Sequence, residues 1–436
     1  MKILKFLHAS DLRLHVPATC WTMREEAIRA ELLEAVWATA ERVFDAAVVQ
    51  KVDFLLLTGE VMDSEQVGPR GNAFLEKQFR RLAEVGIPVY WQQTDAWEGT
   101  LPENVFPFPE GETLVRKFTL SDASKTVFLV RWDGATPDLS RYDLSKLPGE
   151  KLPERLTLAL RREGEEPNML AAYTAVGNSE SRGTVADGGR VRHAPGTILG
   201  RTPEVLEGEP SPDFGVSLVR MDLDGEKPIS IQFLPVETIC WREYAVTVPV
   251  TLHTAAELGN WLETQLRERR NVGESVAKRE LLRWRLSGGG EEIQPVLRQI
   301  YLENLRPERP GETRVGNVIL ERLCRVGDSL SPPVWSFGLE VEDAKLVPES
   351  LETSESFPGD FRRLAVFHRN NPTAVEVPGF VPHTLDLEAY LSASQRGDRL
   401  GTATRQDADA LNETLREAEI LGIDLFEAAN REGGDA

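Results

Sequence analysis

Residues 52–72 read VDFLLLTGEVMDSEQVGPRGN, and residues 86–98 read GIPVYWQQTDAWE. Asp53 to Thr58 is a short apolar run stopped by Gly59-Glu60, the pattern of a strand buried on both faces. Ile87 to Trp91 repeats it, and the segment between, about residues 71–85, has helical character and ends at Gly86. Upstream, Ile3 to Ala9 is a third apolar run, closed by Ser10-Asp11-Leu12-Arg13. Residues 24–50 place Ile28, Leu32, Val36, Ala40, Val43 and Ala47 three or four positions apart, an amphipathic helix. Strand and helix therefore alternate β-α-β-α-β, which predicts a parallel sheet with right-handed crossovers. Sites in such sheets form in loops at the carboxyl ends of the strands, and Asp11, Glu60 and Asp95 fall in those three loops.

The chain has 436 residues, too many for one ordinary core, so two or three domains are expected. Hydrophobic residues make up 41% and charged residues 28%, the balance of a water-soluble globular protein. No apolar run approaches the ~18 residues that cross a bilayer. The start MKILKFLHASD lacks a signal-peptide core and cleavage site, so it reads as a first strand. Cys20, Cys240 and Cys324 are far apart and without CxxC spacing, which points to buried free thiols and a reducing, cytoplasmic setting. A net charge of −20 argues against tight binding of phosphate backbones by the chain as a whole. Arg267, Arg269, Arg270, Arg279, Arg283 and Arg285 cluster, but glutamates interleave with them, so a solvated face is the expected role.

From about residue 114 to 235 the pattern turns to short strands: Thr126 to Trp132, Leu156 to Leu160, Leu170 to Val176, Gly215 to Met221 and Ile229 to Leu234. A Pro/Gly-rich connector at 135–153 interrupts them. Beyond it, Ala255 to Arg269 reads as an amphipathic helix and Leu282 to Leu286 alternates like a half-buried strand. A helix at 293–305 follows. The tail opens on a polar linker and ends in two helical segments, about 384–394 and 405–421, the second striped by Leu411, Leu415 and Ala418.

The loops at 11–13, 59–60 and 92–95, with Gly177-Asn178-Ser179-Glu180, resemble the ligand motifs of the calcineurin-like metallophosphoesterases. Within that superfamily the chain resembles the SbcD/YhaO-type DNA repair exonucleases, through Pro195 to Arg201, Phe214 to Val219 and a closing strand at Val236 to Trp241. The family motifs are Asp-x-His, Gly-Asp, Gly-Asn-His-Asp and Gly-His-x-His. The counterparts here are Asp11-Leu12-Arg13, Gly59-Glu60, Gln92-Gln93-Thr94-Asp95 and Gly177-Asn178-Ser179-Glu180. The resemblance implies a four-layer α-β-β-α sandwich over residues 1–241. It also implies a small α+β capping domain over 245–345 and a linker with a helical partner-binding tail over 346–436. It implies an SMC-like coiled-coil ATPase of the SbcC type as partner, homodimerisation, and DNA ends as ligand, with no membrane role.

The residue types do not suit the family's chemistry. Two-metal hydrolysis needs ligands holding both ions about 3.5–4 Å apart. Arg13 is a permanent cation where a histidine ligand is required. Glu60 keeps the charge of the bridging aspartate but carries one methylene more. Gln93 offers an amide oxygen, Thr94 cannot act as the leaving-group histidine, and Asn178 and Glu180 replace two more. A further family histidine would fall near Leu160-Arg161, where none exists. Of the six histidines only His15 lies near the motifs; His8 and His193 occupy non-ligand positions, and His253, His368 and His383 lie elsewhere. The expectation is a non-catalytic site of Asp11, Arg13, Glu60, Gln93, Thr94, Asp95, Asn178 and Glu180 without a bound metal, closed by Arg13 pairing with the carboxylates. The rival is an active phosphodiesterase with an altered Mn²⁺ or Mg²⁺ centre, its candidate ligands Asp11, Glu60 and Glu180.

Overall fold

The computed structural model describes residues 2–20, 26–92, 97, 100–109, 114–120, 125–131, 157–162, 171–206, 214–224, 228–268, 277–305, 313–342, 357–370, 420 and 422. The chain divides into two compact units. The first comprises Met1–Glu243, Arg269–Leu282 and Gly327–Phe337; the second comprises Tyr244–Glu268, Arg283–Val326 and Gly338–Ala436.

The first unit begins with β1 (Ile3–Ser10), α1 (Glu26–Gln50), β2 (Phe54–Thr58), a one-turn α2 (Ser64–Val67), α3 (Pro69–Glu84), β3 (Val89–Trp91) and β4 (Val105–Pro107). It continues through β5 (Leu114–Thr119), β6 (Thr126–Arg131), β7 (Thr157–Arg162), β8 (Tyr173–Gly177), β9 (Gly183–Asp187), β10 (Arg190–Ala194), β11 (Gly215–Asp222) and β12 (Ser230–Pro235). One six-stranded sheet has the order β12-β11-β1-β2-β3-β4, and a second has the order β5-β6-β7-β8-β10-β9. β1, β2, β3 and β4 run parallel, as the β-α-β alternation predicts, while β11 joins β1 antiparallel with Leu7 opposite Leu218.

Side-chain alternation explains the layering. Leu4 and Phe6 of β1, with Phe54 and Leu56 of β2, face Leu129, Leu160 and Tyr173 of the second sheet in one core. Leu7, Ala9, Leu55 and Leu57 point the other way, against Val36, Val43, Phe44 and Phe79 of the helices. Both faces of β1 and β2 are thus covered, which is why they read as apolar runs. Each fully buried Phe or Leu contributes about 1.5–3 kcal/mol, so two such cores dominate the fold's stability. The result is an α/β arrangement of two packed sheets, and among the described residues α1 and α3 form its helical layer.

One polar cluster interrupts the core between the sheets. His8 exchanges hydrogen bonds with the Tyr173 hydroxyl (2.9 Å) and the Thr58 hydroxyl (2.8 Å). His193 does so with Thr184 (2.7 Å) and Ser217 (2.8 Å), and the two imidazoles lie 6.0 Å apart. Burial, then the charge of His193, holds His8 well below the ordinary histidine range; burial foremost pushes His193 down to about 4. Both rings are therefore neutral at pH 7.

The strand expected at Val236 to Trp241 does not close the first sheet. Pro235 ends β12, the Thr238 hydroxyl turns the chain by donating to the carbonyl of Ala35 (3.1 Å), and β13 runs from Ile239 to Val248. β13 joins β14 (Arg279–Gly288) and β15 (Val334–Val341) in a separate three-stranded sheet of order β13-β14-β15.

In the second unit, α4 (Ala255–Glu268), α5 (Gln294–Leu305), α6 (Val315–Gly327) and α7 (Phe357–Asn370) are helical. Trp284 is fully buried there with the Tyr244 ring at 5.3 Å. The buried Glu303 carboxylate accepts from the backbone N–H groups of Val315 and Gly316 (3.0 Å each), capping α6. Of the arginines noted in the sequence, Arg283 pairs with Glu340 and Arg285 with Glu342 at 3.0 Å, and Arg279 with Glu31 at 2.8 Å, while Arg269 and Arg270 lie outside the described residues. The tail segments at 384–394 and 405–421 lie outside the described residues, save Ile420, which is helical and buried. No helix among the described residues is long and apolar enough to cross a membrane.

Candidate functional site

Three loops at the carboxyl ends of β1, β2 and β8 meet through their backbones. The Asp11 N–H donates to the Thr58 carbonyl (3.1 Å), and the Arg13 N–H donates to the Glu60 carbonyl (3.0 Å). Gly59 has φ +66°, and a Cβ there would lie 2.5 Å from Asp11 Oδ1 and 2.7 Å from the Asn178 nitrogen. At Gly177 a Cβ would come within 2.1 Å of the Gly59 nitrogen. Only glycines allow the two loops this approach. Asp11, Arg13 and Asn178 each hold positive φ (54°, 42° and 58°), a conformation unfavourable for residues with a Cβ.

This frame brings five of the sequence-predicted residues together. Asp11 is wholly buried; its Oδ1 accepts the Glu60 N–H (3.1 Å) and its Oδ2 a hydrogen bond from the Ser10 hydroxyl. Burial raises the Asp11 pKa despite the opposing pull of those bonds, the Arg13 charge and the Asn178 N–H. Arg13 spans the acids: Nε lies 3.3 Å from Glu60 Oε2 and 3.8 Å from Asp11 Oδ1, and a terminal nitrogen lies 3.5 Å from Glu180 Oε1. Its side chain is 24% exposed, that of Glu180 82%. Asn178 Oδ1 is buried and accepts no hydrogen bond from the described residues. Gln93, Thr94 and Asp95 lie outside the described residues.

Three further residues complete the surroundings. His15, two positions past Arg13, accepts the Asp63 N–H at Nδ1 (3.0 Å), leaving Nε2 facing Glu60 Oε1 at 3.6 Å. Gln92 is wholly buried and its Oε1 accepts the Gly59 N–H (3.4 Å). Arg201 donates to the carbonyls of Val16 (3.2 Å), Leu199 (3.2 Å) and Leu12 (3.1 Å), pinning the Asp11–Arg13 loop. Burial first, then the Arg13 charge, pushes the Arg201 pKa down to about 10 against the pull of Asp11, Glu60 and Glu180. No local sequence pattern signals this role, because 188 residues (201 − 13) separate the two guanidiniums.

Over 87 residues the chain is 41% identical to the uncharacterized metallophosphoesterase YhaO of Bacillus subtilis strain 168. The resemblance is to the calcineurin-like metallophosphoesterases. The matched stretch is 20% of this chain and 21% of that relative, so the chain matches about a fifth of the relative's length. No family model matches the chain. A Streptococcus pneumoniae protein described as a predicted phosphoesterase aligns at 15% identity and TM-score 0.26, covering 54% of this chain and 91% of that one. A Thermus thermophilus protein aligns at 13% identity and TM-score 0.28, covering 53% of this chain and 99% of that one. At such scores these two add no argument; the fold reading rests on the sheet order and the cores described above.

A two-metal centre, which the resemblance implies, does not fit these side chains. A guanidinium lies among the three acids where a divalent ion would need open oxygens, and it has no lone pair to give. One Asp11 oxygen receives the Ser10 hydroxyl and the other the Glu60 N–H. Among the described residues no group of three or more His, Cys, Asp or Glu side chains could hold a metal ion.

Proposed function

We propose that this chain is a YhaO/SbcD-like metallophosphoesterase homologue that has given up hydrolysis. It acts in the cytoplasm as a structural or regulatory subunit in DNA-end processing. The observation that carries the reading is Arg13, whose guanidinium stands within 3.3–3.8 Å of Asp11, Glu60 and Glu180. A tethered cation of this kind balances the acids without offering a Lewis acid or a metal-bound nucleophile. In this reading the protein pairs with a second copy and with an SMC-like coiled-coil ATPase of the SbcC type, and DNA ends are the ligand of the assembly. The resemblance alone supports the partner, and co-purification tests it: a preparation from the native host returning no such ATPase removes that assignment.

The catalytic half of the reading has its own test. Purified protein loaded with Mn²⁺ and offered linear double-stranded DNA is expected to show no cleavage and no stoichiometric metal. Cleavage that disappears in Asp11→Ala would overturn it. One observation favours the rival, an oxygen-ligated Mn²⁺ or Mg²⁺ centre with altered ligands: Asn178 Oδ1, in the loop whose N–H bonds to Asp11, is a buried acceptor without a donor among the described residues.

A further inference from the structure

At the end of the first sheet remote from Asp11 and Glu60, where β2, β3 and β4 begin, a cleft of about 980 Å³ opens in the first unit. Phe106 and Phe118 give it an aromatic wall, backed by Tyr90 stacked on Phe106 (5.3 Å) and Phe54 edge-on to Phe118 (5.2 Å). Its acceptor side chains are Asp53, Glu103 and Asn104. Asp53 receives the Lys5 N–H at 2.7 Å and has no cationic side chain in ion-pair contact among the described residues. Burial raises its pKa against the bond and the charge of Lys5, so the carboxylate is under-compensated. Asn104 spends its amide hydrogens on the carbonyls of Phe79 (2.9 Å) and Ile87 (3.2 Å), leaving Oδ1 buried with no donor among the described residues. Glu103 adds an exposed carboxylate.

The helices reinforce this sign. The last turns of α1 and α3 both line the cleft, and helix carboxyl ends carry partial negative charge. α1 has no basic residue in its last turn, and Arg81 of α3 is drawn off to Asp45 and Gln78. Lys51, exposed, is the single cation among the lining residues. Anions are thus disfavoured. A hydrogen-bond donor of positive charge would answer Asp53 and the orphaned Asn104 oxygen together, and an aromatic wall suits the stem that carries it.

We propose that this cleft binds an organic monocation on an apolar stem, an ammonium or guanidinium head against Asp53 and Asn104 with its body on Phe106 and Phe118. The head comes either from a free arylalkylamine or from an arginine side chain of a peptide. Calorimetry on the full chain with phenethylamine, phenylguanidine, the neutral isostere 2-phenylethanol, and a short arginine peptide against its citrulline counterpart tests it. The cationic probes are expected to bind at least tenfold more tightly than their neutral counterparts. Asp53→Asn, which keeps an acceptor for the Lys5 N–H, should lower cation affinity about tenfold and leave 2-phenylethanol unchanged; Lys51→Gln should raise it. Tighter binding of the peptide than of phenylguanidine assigns the cleft to a partner's side chain, the reverse order to a free amine. Equal affinity for amine and alcohol, no effect of Asp53→Asn with native circular dichroism, or no saturable binding of any cationic probe overturns the proposal.

Discussion

Acid should loosen the packing of the two sheets through His193. In the folded chain its pKa is near 4, set first by burial, whereas the unfolded chain returns it to the ordinary 6.5. Above pH 6.5 the ring is neutral in both states and contributes nothing to the pH dependence. As the pH falls from 6.5 towards 4 the unfolded state takes up a proton that the folded state refuses, so stability drops over that window. The gap between 6.5 and about 4 corresponds to roughly 3 kcal/mol in total, with a slope of up to about 1.4 kcal/mol per pH unit. His8, held well below its usual value by burial and by His193, acts in the same direction. Urea denaturation at pH 7.5, 6, 5 and 4.5 of wild type and His193→Gln isolates the effect. Glutamine offers an oxygen and an amide to Thr184 and Ser217 but does not titrate. The variant is expected to be less stable at pH 7.5 and to close on the wild type by about 2–3 kcal/mol at pH 4.5. A constant difference between the two across the series would refute the reasoning, since carboxylates titrate equally in both.

Other perturbations have similarly direct readouts. Gly177→Ala places a Cβ 2.1 Å from the Gly59 nitrogen and 2.6 Å from its Cα, so it should cost ~3 kcal/mol or more, seen as a loss of soluble protein or a large fall in the urea midpoint. Arg13→Met should destabilise by only about 1–2 kcal/mol at pH 8, because Asp11 keeps its bonds from Ser10 and Glu60 and the other acids reach solvent. Asp11→Asn in the same chain should recover part of that loss; no recovery would show that Arg13 is not paired with Asp11. Cys20, Cys240 and Cys324 are buried thiols outside any disulfide, so a thiol reagent should label none rapidly in the native chain and all three in denaturant.

β1, β2 and β3 of the first sheet were legible because they are covered on both faces, whereas β11 and β12, grouped by pattern with the second sheet, pair onto β1 in the first. β2 and β3 appear as apolar runs and β1 as one broken by Lys5 and His8, and the 3.6-residue spacing of α1 survives as Ile28, Leu32, Val36 and Val43 buried on one side. The second sheet was harder. β9 is exposed at every position and offers no hydrophobic pattern, so nothing in its composition marks it as a strand. It exists because its backbone pairs with β10, from Gly183 opposite Ala194 to Asp187 opposite Arg190. β4 is three residues long and likewise gave no signal. At the site, the acids and Arg13 were readable as residue types placed after strands. The grip of Arg201 on three loop carbonyls was not, since side chain to backbone bonds across such separations leave no local trace.

The geometry of this loop frame has a physical explanation. The frame is specified by backbone: two glycines that let loops touch, a ladder of N–H to carbonyl bonds from Asp11 and Arg13 to Thr58 and Glu60, and three residues held at positive φ. Each such residue costs on the order of 1 kcal/mol and persists only where surrounding bonds over-determine it. The Asp11 carboxylate joins that frame by accepting the Glu60 and Asn178 N–H groups, whereas the side chains of Glu60 and Glu180 make none of the ladder bonds. Removing every cation, however, would leave Asp11, fully buried, beside two more carboxylates, a repulsive arrangement that raises their cost of ionisation. Arg13 answers that repulsion from within the chain. Under the proposed function, a site that keeps strained loops and acids and supplies its own cation needs no metal to balance its charge.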